Sequence, residues 1–184
     1  MTESAGIEIV RDEPLLEAKV IRVDRRIYRA GGREHAWEMV TRTTAAGIVA
    51  CLPVTTAGEV VFLRQFRIPL GRPVIEIVAG IVEIGETPEE AIGRELSEEA
   101  GLVAEGFRKV ADFTTSAGLT GELIATYIAD GCRPDPDAHH SGEAAEEIAT
   151  FRVPIGDAWA WLRARAATEL VDPKTFAMLG HVLR

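Results

Sequence analysis

Apolar residues fall along this chain mostly in runs of strand length broken by glycine and polar turns, with helical spacing confined to the middle and the C-terminal end. From Ile7 to Val40 the pattern is of short strands. Ala18 to Tyr28 is rich in Val and Ile, Gly31-Gly32 reads as a turn, and Trp37 to Val40 is a second β candidate. Such strands do not bury both faces alone and call for the main domain or a second copy of the chain to cover them. Trp37 reads as a core or interface residue ahead of a ligand contact. The body then runs through Ala45 to Val54, Glu59 to Phe66 and Val74 to Ala79, and resumes after a helix with Phe107 to Phe113, Leu123 to Ala129 and Ile148 to Val153. Helical patterns return at Ala158 to Ala167, where Trp159 and Trp161 read as core packing, and after Asp172-Pro173. This order predicts an α/β fold with a mixed sheet covered on both faces. The polar insert Pro134 to Gly142 reads as a loop.

The helix in the middle carries its own start and stop signals. Thr87 is placed as N-cap, Pro88 as first helical residue, Glu90 as the capping-box partner, and Gly101 as the C-terminal cap in the left-handed conformation. Ile92, Leu96 and Ala100 form an apolar stripe that faces a sheet. Glu95, Glu98 and Glu99 are spaced so that three carboxylates leave neighbouring positions of one face. Like charges gathered there cost stability. Two readings follow: a solvated acidic face, or oxygen ligands for a hard divalent cation that bridges to phosphate.

At 184 residues the chain is most simply one domain with a small N-terminal addition, residues 1–43 before a main domain of 44–184. A 47% hydrophobic content argues against disorder, and a formal net charge of −9 disfavours nucleic acid or an anionic membrane surface as partner. A small phosphorylated substrate stays compatible, since a metal screens the repulsion locally. Cys51 and Cys132 lie in or beside apolar runs and read as buried free thiols. Without a signal-like N-terminus or a membrane-length apolar stretch, a cytoplasmic protein is expected.

Gly80, five residues, Glu86, seven residues, then Arg94-Glu95-Leu96-Ser97-Glu98-Glu99-Ala100-Gly101-Leu102 resembles the Nudix box at every defined position. The resemblance to the Nudix hydrolases implies an α/β/α sandwich and cleavage of a diphosphate linked to a nucleoside or other group. It implies that Glu95 and Glu99 bind Mg²⁺ or Mn²⁺ with help from Glu98 and the carbonyl of Ala79. In the same likeness Arg94 orients the carboxylates, and Glu86 acts through a hydrogen bond or metal-bound water.

Arg64 to Pro69 and Glu76 to Gly80 resemble segments of the ADP-ribose and nucleotide-sugar pyrophosphatases. That likeness implies a homodimer built partly from the N-terminal strands, diphosphate contact for Arg67, and a polar substrate contact for Glu76. For Arg67 a surface ion pair is an equal reading. Thr114 to Glu122 resembles the family's proline-glycine loop and following glutamate, which points to Gly118 and Glu122. Ala117 stands where ADP-ribose members carry proline, which counts against that specificity. His139, His140, Glu143, Glu146 and Glu147 form a late acidic segment; by resemblance Glu146 is the first choice for a glutamate that helps activate water.

No Ser-His-Asp or reactive-cysteine arrangement is apparent, so direct attack by water is expected, giving a nucleoside monophosphate and a sugar phosphate. Alternatives are another diphosphate, such as GDP-mannose, a dinucleoside polyphosphate or an oxidised nucleotide, and a non-catalytic nucleotide-sugar sensor.

Overall fold

The computed structural model describes residues 6–138 and 148–183. Contacts divide the chain into two units, Met1–Ala45 with Thr114–Glu122 and Ala46–Phe113 with Leu123–Arg184.

In the first unit, β1 (Glu8–Glu17), β2 (Ile21–Ala30) and β3 (Arg33–Arg42) form an antiparallel sheet in that order. The β2–β3 hairpin turns on Gly31 and Gly32, both with positive φ, as a two-residue loop matched to strand twist requires. Opposite charges face each other across the strands: Arg26 makes two bonds to Asp12, and Arg29 reaches Glu8 at 2.7 Å. Asp24 is buried on β2 and accepts from Arg22 and from the Thr41 hydroxyl. Val40 donates its N–H to the Leu119 carbonyl at 2.8 Å, which ties residues 114–122 to this sheet.

The second unit contains β4 (Gly47–Thr55), β5 (Glu59–Arg67), β6 (Arg72–Glu76), β7 (Val78–Val82), α1 (Pro88–Ala100), β8 (Leu102–Val103) and β9 (Gly106–Phe113). It continues with β10 (Ile124–Pro134), β11 (Ile148–Pro154), α2 (Ile155–Ala166), β12 (Leu170–Val171) and α3 (Pro173–Val182). The sheet runs β12-β6-β5-β4-β10-β8, with β11 also on β5, β7 on β4 and β9 on β10. The β10–β4 and β12–β6 pairs are parallel and the others antiparallel, so the sheet is mixed.

Alternation along β4 assigns its two faces to different cores. Val49 and Cys51 pack with Ile92 and Leu96 of α1, whereas Ala50 and Leu52 pack with Leu162 of α2 and Met178 and Leu179 of α3. Helices therefore cover both faces, as the element order predicts. Both cysteines are buried free thiols, and burial pushes the Cys132 thiol up to about 11. Among the described residues no helix is long and apolar enough to cross a membrane.

Three expectations change. The run Val74 to Ala79 is not one strand: it breaks at Ile77, with β6 on β5 and β7 on β4. The helix expected from Ala158 starts at Ile155, after a Pro154 N-cap that makes no side-chain bond. Of the two tryptophans read as core, Trp161 stacks on Phe62 with ring centroids 5.1 Å apart, but Trp159 stays exposed and meets Phe176 in a T-shaped contact.

The α1 start follows its sequence signals. The Glu90 N–H donates to Thr87 Oγ1 at 3.2 Å, the Thr87 N–H donates to Glu90 Oε2 at 2.8 Å, and Gly101 caps the far end at φ 63°. Thr87→Ala is expected to cost about 1 kcal/mol in urea unfolding at neutral pH. The Thr87 amide and hydroxyl hold the Glu90 carboxyl below the usual value. That contribution is present above the unfolded-state pKa and is lost as pH falls through the lower folded-state value. The gap between wild type and variant should therefore narrow in acid; a gap that widens there would count against the reciprocal cap.

Candidate active site

The helix α1 and the strand β7 bring together the carboxylates that the spacing singled out. Arg94 sits among them and uses all five of its donors. Nε and Nη2 donate to the two Glu86 oxygens, each at 3.1 Å. Nη1 donates to Glu95 at 2.8 Å and to Glu98 at 3.3 Å, and Nη2 also reaches the Ile81 carbonyl at 3.1 Å. Glu99 turns toward the sheet and accepts the Ala79 N–H at 3.1 Å. Glu86, Arg94, Glu95, Glu98, Glu99 and Ala79 thus form one neighbourhood.

The same guanidinium acts on carboxyls in unlike surroundings. Its hydrogen bonds, with the Glu83 amide, hold the Glu86 carboxyl below the usual glutamate value. Glu95 is more buried, and desolvation raises its carboxyl above the usual value despite Arg94, with the Glu98 charge adding to the rise. The Arg94 guanidinium is held still more firmly protonated, chiefly by Glu86.

Glu95 owes its place to an absent side chain. A Cβ built on Gly80 would lie 2.0 Å from the Glu95 carboxyl carbon and one of its oxygens. Gly80 is thus the floor of a cradle only a glycine leaves open. The donor set is all oxygen and negatively charged, which suits a hard divalent cation. Among the described residues, no three His, Cys, Asp or Glu side chains are grouped closely enough to hold a metal ion as they stand. Arg94 occupies the space between Glu95 and Glu98, so an ion would take over contacts that the guanidinium now makes.

Arg67 and Glu76 lie elsewhere in the same unit and meet each other. Arg67 Nε and Nη2 donate to the two Glu76 oxygens at 2.7 and 2.6 Å, and Glu76 is 3% exposed. Its chain leads directly to the acidic neighbourhood, since Glu76 precedes Ala79 by three positions. Lys174, which sequence reasoning did not single out, lies beside Glu76.

In the first unit, Glu122 accepts from Arg42 at 2.9 Å, and the Gly118 carbonyl accepts from the Trp37 indole N–H at 3.0 Å. Trp37 is more than half exposed and lines a cavity of about 380 Å³ with Ile9, Tyr28, Met39 and Gly118. It is neither core nor isolated surface. His139, His140, Glu143, Glu146 and Glu147 lie outside the described residues.

A family model of the NUDIX domain matches residues 42–174. An ADP-ribose pyrophosphatase of Bacillus subtilis (strain 168) is 36% identical over 129 residues, covering 70% of this chain and 68% of that protein. An ADP-sugar pyrophosphatase of Mus musculus is 34% identical over 196 residues, covering 96% of this chain and 88% of its own length. Among solved structures, an ADP compounds hydrolase aligns with a TM-score of 0.78 at 17% identity, over 96% of this chain and 91% of that one, a likeness of fold.

Proposed function

The chain belongs to the Nudix family of pyrophosphohydrolases, and on that premise we propose that it hydrolyses the diphosphate of ADP-ribose or a related nucleoside diphosphate sugar, with Mg²⁺ or Mn²⁺. The observation that carries the reading is the placing of Glu95, Glu98 and Glu99 on α1, with Glu95 and Glu98 bonded to Arg94, Glu95 above Gly80 and Glu99 on the Ala79 amide.

A diphosphate resists attack by water because its own negative charge repels the nucleophile. Glu95, Glu98 and Glu99, with the Ala79 carbonyl, would hold the cation. When bound it neutralises phosphoryl oxygens and lowers the pKa of a coordinated water. The remaining work falls to the chain. Arg94, anchored by Glu86, holds Glu95 and Glu98 together until a cation takes over those contacts. Arg67, held side-on by Glu76 through Nε and Nη2, would bring its positive charge to phosphate oxygens. A glutamate of the late segment, Glu146 ahead of Glu147 and Glu143, takes the proton from the attacking water.

The test is product release from a panel of ADP-ribose, ADP-glucose, GDP-mannose, diadenosine polyphosphates and nucleoside triphosphates, with either metal. The expected result is metal-dependent turnover of an ADP-sugar to AMP and a sugar phosphate. Preference for GDP-mannose would reassign the substrate. Tight binding of one compound with no turnover of any would replace the enzyme by a sensor.

A further inference from the structure

Lys174 stands where two physical effects oppose it. It is 8% exposed, and an ammonium is rarely so buried without partners. It is also the second residue of α3, counted from the Asp172 N-cap, and a cation in a first turn faces the positive end of the helix dipole. Two carboxylates offset these costs. Lys174 Nζ donates to Asp172 Oδ2 at 2.5 Å and lies 3.9 Å from Glu76 Oε2.

Glu76 is thereby flanked by two cations. Arg67 takes both of its oxygens side-on, and Lys174 approaches the Oε2 that also accepts from Arg67 Nη2. The backbone sets this arrangement. β12 lies parallel to β6, the Asp172 N–H donates to the Ile75 carbonyl at 3.0 Å, and α3 therefore begins beside the end of β6 where Glu76 stands. Arg67 comes from the opposite side, at the end of β5, and its side chain is 35% exposed while those of Glu76 and Lys174 are nearly closed off. The contacts run Asp172, Lys174, Glu76, Arg67, with Lys174 and Glu76 nearly closed off between two more exposed ends.

On the reading that Arg67 contacts the diphosphate, we propose that Lys174 is a positioning residue for it, acting through Glu76. Lys174 holds the Glu76 carboxylate in the orientation that aims the guanidinium, and by sharing the Glu76 charge it weakens the hold of Glu76 on Arg67 when a phosphate competes for it. Without Lys174, the buried carboxylate has a single cation to satisfy it and draws Arg67 inward, away from a competing anion.

The experiment compares steady-state constants for the nucleoside diphosphate sugar turned over by the wild type. Variants are Lys174→Met, Lys174→Arg, Arg67→Lys and the Lys174→Met/Arg67→Lys pair. Lys174→Met should raise KM by about tenfold with kcat changed by less than about twofold. Lys174→Arg should recover most of that loss. The double variant should be little worse than Arg67→Lys alone, because both changes break one contact chain.

An unchanged KM in Arg67→Lys removes the phosphate-contact reading and the inference with it. A raised KM there with an unchanged KM in Lys174→Met, or additive effects in the pair, overturns the inference alone. If Lys174→Met does not fold, Asp172→Asn serves instead, since asparagine still caps α3 but no longer carries the charge that holds Lys174. A smaller KM rise supports the role, and an unchanged KM overturns it.

Discussion

Glu99→Gln is expected to lower kcat by about a thousandfold or more for the preferred nucleoside diphosphate, equivalent to about 4 kcal/mol of lost transition-state stabilisation. The substitution keeps shape and an acceptor oxygen, so the Ala79 N–H that now donates to Glu99 at 3.1 Å retains a partner. What disappears is one negative charge from the face of α1 proposed to bind the cation. Fold and chemistry should therefore separate. Thermal melting should stay close to the wild type, because relieving repulsion among Glu95, Glu98 and Glu99 offsets any weakening of the Ala79 contact. The measurement pairs steady-state kinetics at saturating metal with a melt of the same sample. A kcat within about threefold of wild type would falsify the assignment of Glu99 to the metal site.

Gly80→Ala should be nearly as damaging, although it removes no functional group. The new methyl would fall 2.0 Å from the Glu95 carboxyl carbon and 2.4 Å from its Cγ, closer than atoms approach, so Glu95 must move. The backbone itself does not forbid the change, since Gly80 is absent from the glycines with positive φ. Movement is open to Glu95 because it is the end of a flexible chain, and its burial already works against its charge. Stability should thus fall only modestly. Displacing Glu95 breaks its 2.8 Å bond from Arg94 and takes one carboxylate out of the set. A misplacement on the order of 1 Å costs about a hundredfold in rate, and at least that loss in kcat is expected. Kinetics beside urea unfolding decide it: an active variant would show that Glu95 works from more than one position.

Sequence was most informative where the physics is local. Thr87, Pro88, Glu90 and Gly101 cap α1 through bonds within their own turn, so its residue identities were enough to place its ends. Apolar runs of strand length between turn residues placed most of the sheet for the same reason. The break at Ile77 was hidden because Val74 to Ala79 is apolar but for Glu76 and carries no glycine or proline; β6 and β7 differ in which strand they pair with, and that choice is made across the sheet. The mutual pairing of Arg67 and Glu76 was equally out of reach, since the β5–β6 register sets Glu76 opposite Leu63 and Arg67 opposite Arg72, and the two side chains meet away from their own register partners. Lys174 gave no local signal at all. A lysine after Asp-Pro reads as solvent-facing until β12 is seen beside β6. The closest available hint lay in its sign, a cation at the wrong end of a helix.

Arg94, with its five bonds, bears on how such a site survives before it works. Acidic side chains collected for an ion would repel one another in a newly made chain that has not yet met that ion. A guanidinium built into the same helix acts as a resident counterion, so the domain reaches its final form on its own charges. On the proposed metal-dependent reading, loading would exchange one positive partner for another, and the supply of metal would set when the protein is active without setting whether it folds.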